Sequence, residues 1–243
     1  MDVIFFGGQS NMEGQTDKIP SDTSPVPGAV EYKFLTNTFV PLQHPAGEDV
    51  PPHLFGANYG HGSLLPDFCR SYLSVSHSKV AAVHAAKGAT ALSEWMPGGE
   101  LYAAAVKKQQ AALEALGDQV DRVFYVWLQG ESDAILGVSE EEYLKKLIEY
   151  KNALKKDCRI EKFGIIRVGY FAGDAADEVI MNAQERAVKE DSDFLMLTRI
   201  TAQLSKDPKF LNPEAAGHYN NEGLALIGKE AGAALGCYAV QAK

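Results

Sequence analysis

Apolar runs alternate along the chain with stretches in which apolar positions recur at helical spacing. Such unbroken apolar runs are typical of strands in a parallel sheet that is covered on both faces. The predicted strands cover residues 3–6, 79–86, 122–128, 163–170 and 194–198. The predicted helices cover residues 63–74, 101–116, 139–156, 175–189 and 221–235, and Ser139 and Glu142 form a capping box at the start of the third. This alternation predicts an α/β protein with a doubly wound, mostly parallel five-stranded sheet and helices on both sides.

Two stretches break the alternation and are predicted to be irregular. Residues 15–61 are rich in Pro, Gly and Asp, and residues 202–217 lead into the last helix. Long loops in compact domains are uncommon, and they are usually functional or disordered. The first stretch therefore either shapes a substrate cleft or forms a surface insertion. No linker, internal repeat or low-complexity tract divides the chain, so we expect one domain over residues 1–243.

Composition narrows the classes of partner. The chain has 23 basic and 32 acidic residues, a net charge of −9, and no basic cluster. Nucleic acids and anionic membranes attract concentrated Lys and Arg, so this balance argues against both and favours a neutral or weakly charged substrate. Three widely spaced cysteines predict free thiols in a reducing compartment. No secretory signal or membrane-spanning run is visible, so we expect a cytoplasmic protein, although a secreted protein trimmed of its signal would look the same.

Polar residues and glycines follow three of the predicted strands. Ser10 comes after Gly7 and Gly8, Lys87-Gly88 ends the second strand, and Gln129-Gly130-Glu131 ends the third. The carboxyl ends of neighbouring parallel strands meet at one crevice, so these groups are expected to converge. Each taken alone is equally consistent with a turn or a helix cap.

A hydroxyl in such a crevice becomes a nucleophile if a base can take its proton. Ser10 supplies the hydroxyl, and His218, just before the last helix, is the histidine that this helix can return to the crevice. The alternative is that His218 lies on the surface or caps the helix. The segment Gly8–Met12 is neither a G-x-S-x-G elbow, because Met12 replaces the last glycine, nor a phosphate-binding loop.

Four segments resemble one family in order along the chain. Gly8-Gln9-Ser10-Asn11-Met12, Lys87–Thr90 with Trp95, Gln129–Asp133, and His218–Asn220 with Gly223 and Gly228 are similar to the SGNH/GDSL hydrolases. The nearest branch comprises sialate O-acetylesterase-like proteins and the acetylxylan esterases of carbohydrate esterase family six. The resemblance implies a flavodoxin-like, three-layer α/β/α fold. It also implies hydrolysis of acetyl esters on a carbohydrate, with no metal and no cofactor.

The resemblance also implies roles for individual residues. Ser10 corresponds to the family's nucleophile and His218 to its general base. The backbone N–H of Ser10, together with Gly88 and Gln129, would form the oxyanion hole. Donors of this kind stabilise the tetrahedral intermediate by a few kcal/mol each.

One position departs from the family pattern. The family usually carries an aspartate three residues before its histidine, and here that residue is Ala215. Glu131 is the preferred carboxylate to orient His218, and Glu214 is the second choice, with Asp207 further away. Because the acid fixes the tautomer and the charge of the imidazole, another carboxylate is physically acceptable, whereas a missing one would cut the rate sharply.

Further residues carry open alternatives. Asn11 is expected either at the substrate or holding the nucleophile loop, and Trp95 either stacks on a sugar ring or packs under the loop. Asp133 either holds or caps its own turn. His53 and His61 lack partners at ligand spacing, so no metal site is expected. Two functions compete with a carbohydrate esterase: a catalytically impaired sugar-binding module of the same fold, and a related lipase or thioesterase. The oligomeric state stays open.

Overall fold

The computed structural model describes residues 1–14, 20, 22–50, 53–55 and 62–242. Its centre is a seven-stranded sheet with the spatial order β3-β2-β6-β1-β7-β8-β9. The strands are β1 Asp2–Gly8, β2 Ala29–Lys33, β3 Thr38–Pro41, β6 Val80–Ala86, β7 Val123–Leu128, β8 Lys162–Ile166 and β9 Phe194–Thr198. All neighbouring strands are parallel except β3, which runs antiparallel to β2. Two further strands, β4 Glu48–Val50 and β5 His53–Phe55, pair with each other in a separate small sheet.

Helices cover both faces of the large sheet. They are α1 Ser10–Glu13, α2 Leu65–Ser76, α3 Glu100–Leu116, α4 Glu131–Ile135, α5 Glu140–Cys158, α6 Asp174–Glu190, α7 Ile200–Leu204 and α8 Asn221–Gln241. The strand β1 shows why there are two cores, because its side chains alternate between the faces. Ile4 and Phe6 pack in the core under α2 and α8, whereas Val3 and Phe5 pack in the core under α3, α5 and α6. The predicted three-layer α/β/α fold is confirmed.

The predicted strand count of five is too low. All five predicted strands are present, but β2 and β3 add two more on one edge, and both lie in the stretch predicted to be irregular. The hairpin β2–β3 is short, and the residues of β3 are exposed or half-buried. Such an edge hairpin does not need the continuous apolar run by which buried strands are recognised. Residues 15–19, 21, 51, 52 and 56–61 of that stretch lie outside the described part of the chain.

The register of the central strands brings the three polar strand ends together. Gly8 at the end of β1 lies between Ala86 of β6 and Leu128 of β7. Gly8 has φ +145°, and a Cβ atom there would lie 2.0 Å from the carbonyl oxygen of Leu128. Only glycine fits both the angle and the space, so the chain can turn out of the sheet directly into Ser10. Within the described residues, no helix is both long enough and apolar enough to cross a bilayer.

Candidate active site

Ser10 and His218 lie in contact at the carboxyl edge of the sheet. Ser10 opens the short helix α1 and is 4% exposed, and its Oγ lies 2.8 Å from Nε2 of His218. Residues 8–13, here called the nucleophile segment, are all buried. Residues 212–220, the histidine segment, carry His218 at their end, just before α8. The structure therefore joins the two residues that the sequence proposed as nucleophile and base.

The surroundings of the imidazole fix its tautomer. Nδ1 of His218 lies 3.2 Å from the carbonyl oxygen of Ala216. A carbonyl only accepts hydrogen bonds, so Nδ1 carries the proton and Nε2 is left to accept from the Ser10 hydroxyl. Burial lowers the pKa of His218, although nearby backbone carbonyls partly oppose this effect. The ring is therefore neutral at neutral pH, as a general base requires.

Glu131 is not in contact with the imidazole, contrary to the preferred sequence prediction. Its Oε1 accepts a hydrogen bond from Nδ2 of Asn11 at 2.8 Å, and its Oε2 is buried without a partner among the described residues. Oδ1 of Asn11 in turn accepts from the backbone N–H of Tyr219 at 3.2 Å. Glu131 thus holds Asn11, and Asn11 joins the nucleophile segment to the residue after His218. Burial raises the pKa of the Glu131 carboxyl above its ordinary value.

Glu214, the second-choice carboxylate, does not contact His218 either. The backbone N–H of Glu214 donates to the side chain of Asn212, and the side chain of Asp207 accepts from the backbone of Lys209 at the start of a short 3₁₀ turn. Within the described part of the chain, no carboxylate contacts His218, and Nδ1 faces the Ala216 carbonyl instead.

Two of the three predicted oxyanion donors are already engaged. The backbone N–H of Gly88 donates to Oε2 of Glu13 at 2.9 Å. The side-chain amide of Gln129 donates to the carbonyl of Thr90 at 3.0 Å and to the carboxylate of Asp133. The backbone N–H of Ser10 has no acceptor among the described residues. Of the three, only the Ser10 N–H is therefore available to a developing oxyanion in this structure.

Gln129 belongs to a buried polar network beneath the site. Its Oε1 accepts from the hydroxyl of Tyr143, and its backbone carbonyl accepts from Tyr143 and from the side chain of Gln184. Asp133 also accepts from the backbone N–H of Leu92 at 2.9 Å. Asp133 therefore holds the loop after β6 as well as Gln129, and the predicted oxyanion role of Gln129 is not supported by its contacts.

The two predicted substrate contacts are buried side chains. Trp95 has no exposed surface; its Nε1 donates to the Thr90 hydroxyl at 2.9 Å, and its ring packs edge-on against Trp127. Stacking on a sugar is therefore ruled out in this arrangement, and Trp95 supports the loop from below. Both polar groups of Asn11 are engaged within the protein, so Asn11 holds the nucleophile loop rather than a substrate.

Sequence reasoning missed Glu13, Phe171 and Asp177. Glu13 stands two residues beyond Asn11 in the nucleophile segment, yet its contact with Gly88 depends on the pairing of β1 and β6. The ring of Phe171 meets His218 edge to face, with centroids 5.4 Å apart. Asp177 accepts three backbone hydrogen bonds from residues 171–173. Phe171 and Asp177 carry no motif signal, because both act through tertiary contacts.

A cavity of about 500 Å³ opens beside Gly88. The backbone N–H of Lys87 donates to the carbonyl of Gly8 at 3.0 Å, so this cavity adjoins the strand that carries the nucleophile segment. Its lining includes Lys87, Ser93, Glu94 and Leu101. Where the chain is described, no group of three or more His, Cys, Asp or Glu side chains is arranged to hold a metal ion.

The chain has an α/β/α fold in which Ser10 and His218 are in contact at the carboxyl edge of the sheet. The sequence model of the family SASA, described as "Carbohydrate esterase, sialic acid-specific acetylesterase", matches residues 1–235. The chain belongs to this family.

One relative and two solved structures are similar to this chain. A curated protein of Arabidopsis thaliana described as a "Probable carbohydrate esterase" is 26% identical over 125 residues, which are 51% of this chain and 47% of that protein. The match thus spans about half the length of the curated relative. A crystal structure of an Arabidopsis thaliana protein has a TM-score of 0.72 at 16% identity and covers 99% of this chain and 98% of its own. A carbohydrate acetylesterase of Xanthomonas citri has a TM-score of 0.58 at 16% identity, over 100% of this chain and 57% of its own. At these identities, the structures show a shared fold.

Proposed function

We propose that this protein is a serine esterase that removes acetyl groups from a carbohydrate through an acetyl-Ser10 intermediate. The observation that carries the proposal is the 2.8 Å contact between Ser10 Oγ and His218 Nε2. The family description and the name of the Xanthomonas citri neighbour support an acetylated sugar as substrate. The predicted partner, an acetylated carbohydrate, is part of this proposal.

The first half of the reaction forms the acetyl-enzyme. Ser10 Oγ attacks the acetyl carbonyl carbon while its proton passes to Nε2 of His218, and the carbonyl oxygen becomes an oxyanion near the Ser10 N–H. The bond between the carbonyl carbon and the sugar oxygen then breaks, and the proton on Nε2 passes to that oxygen. The alcohol leaves as a free sugar hydroxyl.

The second half uses water in place of the sugar. His218 Nε2 takes a proton from water as its oxygen attacks the acetyl carbon, and the bond to Ser10 Oγ breaks as the proton returns to Oγ. Acetate is released and the hydroxyl is restored. The protonated imidazole that forms in both halves has the Ala216 carbonyl as the acceptor for its Nδ1–H.

We place the sugar in the cavity beside Gly88. Sugar hydroxyls both donate and accept hydrogen bonds, and the lining offers the ammonium of Lys87, the hydroxyl of Ser93 and the carboxylate of Glu94. Leu101 supplies an apolar surface for the sugar ring. A mixed lining of this kind suits a small polar ligand.

The test is hydrolysis of 4-nitrophenyl acetate and of a panel of acetylated sugars by the wild type and by Ser10→Ala. We expect turnover by the wild type and loss of turnover in the variant. A rapidly quenched sample of the wild type should carry an acetyl group on Ser10, a mass gain of about 42 Da because acetyl replaces the hydroxyl hydrogen. Longer 4-nitrophenyl esters test the lipase or thioesterase alternative. An inert wild type, or a variant as active as the wild type, removes the proposal.

A sugar-binding module without turnover is the second candidate. It is favoured by one observation, the position of Ala215 where the family has an aspartate, together with the missing carboxylate contact at His218 in the described residues. It predicts that acetylated sugars bind equally well to the wild type and to Ser10→Ala, with no acetate released. Calorimetry with acetate detection separates the two functions.

A further inference from the structure

The ring of His218 packs against one aromatic side chain. The rings of Phe171 and His218 are perpendicular, with an interplanar angle of 90° and centroids 5.4 Å apart. The residue before His218 packs on the same ring: Gly217 has φ +75°, and a Cβ atom there would lie 2.2 Å from Cδ2 of Phe171. Phe171 therefore contacts both the imidazole and the backbone that carries it.

Phe171 is itself held by a buried carboxylate. It lies after β8, and the backbone N–H groups of Phe171, Ala172 and Gly173 donate to Asp177 at 2.8, 3.1 and 2.9 Å. Asp177 has no exposed surface. Three backbone hydrogen bonds to this one side chain hold the loop in place. These hydrogen bonds therefore hold the Phe171 ring in position.

We infer that Phe171 is a positioning residue for His218 and that Asp177 acts through it. In hydrolases with a full triad, a carboxylate fixes both the tautomer and the orientation of the imidazole. Here the Ala216 carbonyl fixes the tautomer, and the Phe171 ring fixes the plane. This inference rests on the proposed role of the Ser10–His218 pair.

Within the described residues, the charged side chains near the histidine segment make no contact with the imidazole. Asp177 is bound to the backbone of residues 171–173, Glu131 to Asn11, and Glu222 at the start of α8 to Lys209. Glu13 is bound to Gly88, and Glu214 lies on the histidine segment itself. Two uncharged polar groups contact the imidazole directly, the hydroxyl of Ser10 and the carbonyl of Ala216. The main influence on the ring is therefore its exclusion from water, to which Phe171 contributes.

Removing the ring should change both rate and titration. In Phe171→Ala, water reaches His218, so its pKa should rise towards the ordinary value of about 6.5. We expect kcat for 4-nitrophenyl acetate to fall about tenfold or more through misplacement of the base, with KM within about twofold. Phe171→Leu should give a kcat and a His218 pKa between those of the wild type and Phe171→Ala. Phe171→Tyr, which keeps the ring, should restore most of kcat and the acid limb of the wild-type pH–rate profile.

The direction in which the pKa of His218 changes in Asp177→Asn distinguishes two roles for Asp177. If Asp177 acted on His218 through its charge, loss of that charge would lower the pKa of His218 further. If it acts by holding Phe171, the loosened loop admits water, because the asparagine amide cannot accept from the Ala172 N–H, and the pKa rises. We expect the rise, in the same direction as in Phe171→Ala.

Tyr170→Leu is the matched control. Tyr170 is the neighbouring aromatic residue, but its ring lies 3.8 Å from the ammonium of Lys206 and its hydroxyl faces Glu178. In this variant kcat, KM and the acid limb of the pH–rate profile should be the same as in the wild type.

The deciding experiment is NMR titration of His218, assigned with His218→Asn, together with kcat and KM for each variant. The titration does not depend on turnover, so an inert wild type would remove the proposed function without obscuring the effect of Phe171 on the ring. An unchanged titration in both Phe171→Ala and Phe171→Leu, or a change in KM alone, overturns the inference. A downward shift in Asp177→Asn overturns the part assigned to Asp177.

Discussion

The nucleophile segment and the histidine segment meet at one hydrogen bond but are built differently. Residues 8–13 are all buried and continue directly from β1, the central strand of the sheet. In residues 212–220, only Asn212 and Tyr219 are buried. The position of Ser10 is therefore set by the sheet, whereas the position of His218 is set by a surface loop. The comparison shows that the precision of the pair depends on the few contacts that tie this loop down.

Those contacts come from three directions. Oδ1 of Asn11 accepts from the Tyr219 N–H, the Tyr219 hydroxyl donates to the Thr201 carbonyl at 3.0 Å, and Phe171 packs on the imidazole. Only the first of them reaches the nucleophile segment. Substitutions in the two segments should therefore differ in how strongly they lower kcat and how strongly they lower the stability of the fold.

His218→Ala should show the largest effect on rate with a small effect on folding. Because the base is lost, we expect kcat for 4-nitrophenyl acetate to fall about 10⁶-fold, as for the histidine of a serine triad. Because His218 is half-buried on a loop, the melting temperature should stay within about 2 °C, a shift that corresponds to less than about 1 kcal/mol for a chain of this size. Activity near that of the wild type would show that the contact with Ser10 is not used.

Asn11→Ala should damage both segments at once. It leaves the Tyr219 N–H and the Glu131 carboxylate without their shared partner. We expect a loss of about 2–4 kcal/mol in the free energy of unfolding, together with a lower kcat. Urea denaturation and kinetics measure the two effects. A stable variant with reduced kcat would separate the bridge from the fold and contradict the expected coupling.

Glu131→Gln distinguishes a positioning carboxylate from a triad acid. A triad acid exchanged for its amide costs about 10⁴-fold in kcat. Because Glu131 is bound to Asn11, and the oxygen of glutamine can still accept that bond, we expect less than about 100-fold here. A loss of the larger size would return Glu131 to the catalytic triad.

The same variant gives a prediction for stability against pH. The pKa of Glu131 in the folded protein is raised above the ordinary value of 4.5. Glu131 therefore contributes to the free energy of unfolding of the wild type below pH 4.5, and this contribution is lost as the pH rises through the folded pKa. The free energy of unfolding of Glu131→Gln relative to the wild type should therefore increase from pH 4 to pH 8. Urea denaturation at both values checks the sign, and a constant difference would contradict the raised pKa.

Trp95→Phe should have the smallest effect. It removes the Nε1 hydrogen bond to Thr90 and part of the ring packed on Trp127, which costs about 1–3 kcal/mol in stability. Because Trp95 is fully buried, KM for an acetylated sugar should be unchanged. A rise in KM of tenfold or more, without loss of stability, would show that the indole meets the substrate.

The sequence was most informative where a buried strand ends in a motif. The runs that form β1, β6 and β7 are almost entirely apolar, and glycines mark their ends, so the sequence alone predicts Ser10, Gly88 and Gln129 at one edge of the sheet. The hairpin β2–β3 escaped prediction because it is short and its outer strand is exposed or half-buried.

Partners within the site were beyond the reach of sequence patterns. Which acceptor Gln129 binds, or which carboxylate lies near His218, depends on side-chain contacts between segments far apart in the chain. Glu131 shows this clearly: its place in the Gln129–Asp133 motif is correct for the site, yet its carboxylate bonds Asn11 instead of the imidazole. Residues that act by packing, such as Phe171, have no spacing rule at all.

The long separation of Ser10 and His218 along the polypeptide has a consequence during synthesis. The hydroxyl is synthesised 208 positions ahead of its proton acceptor. Until the last helix has docked beside α2, the nascent chain lacks an activated nucleophile. Under the proposed function, ester cleavage is therefore confined to molecules in which α8 has docked.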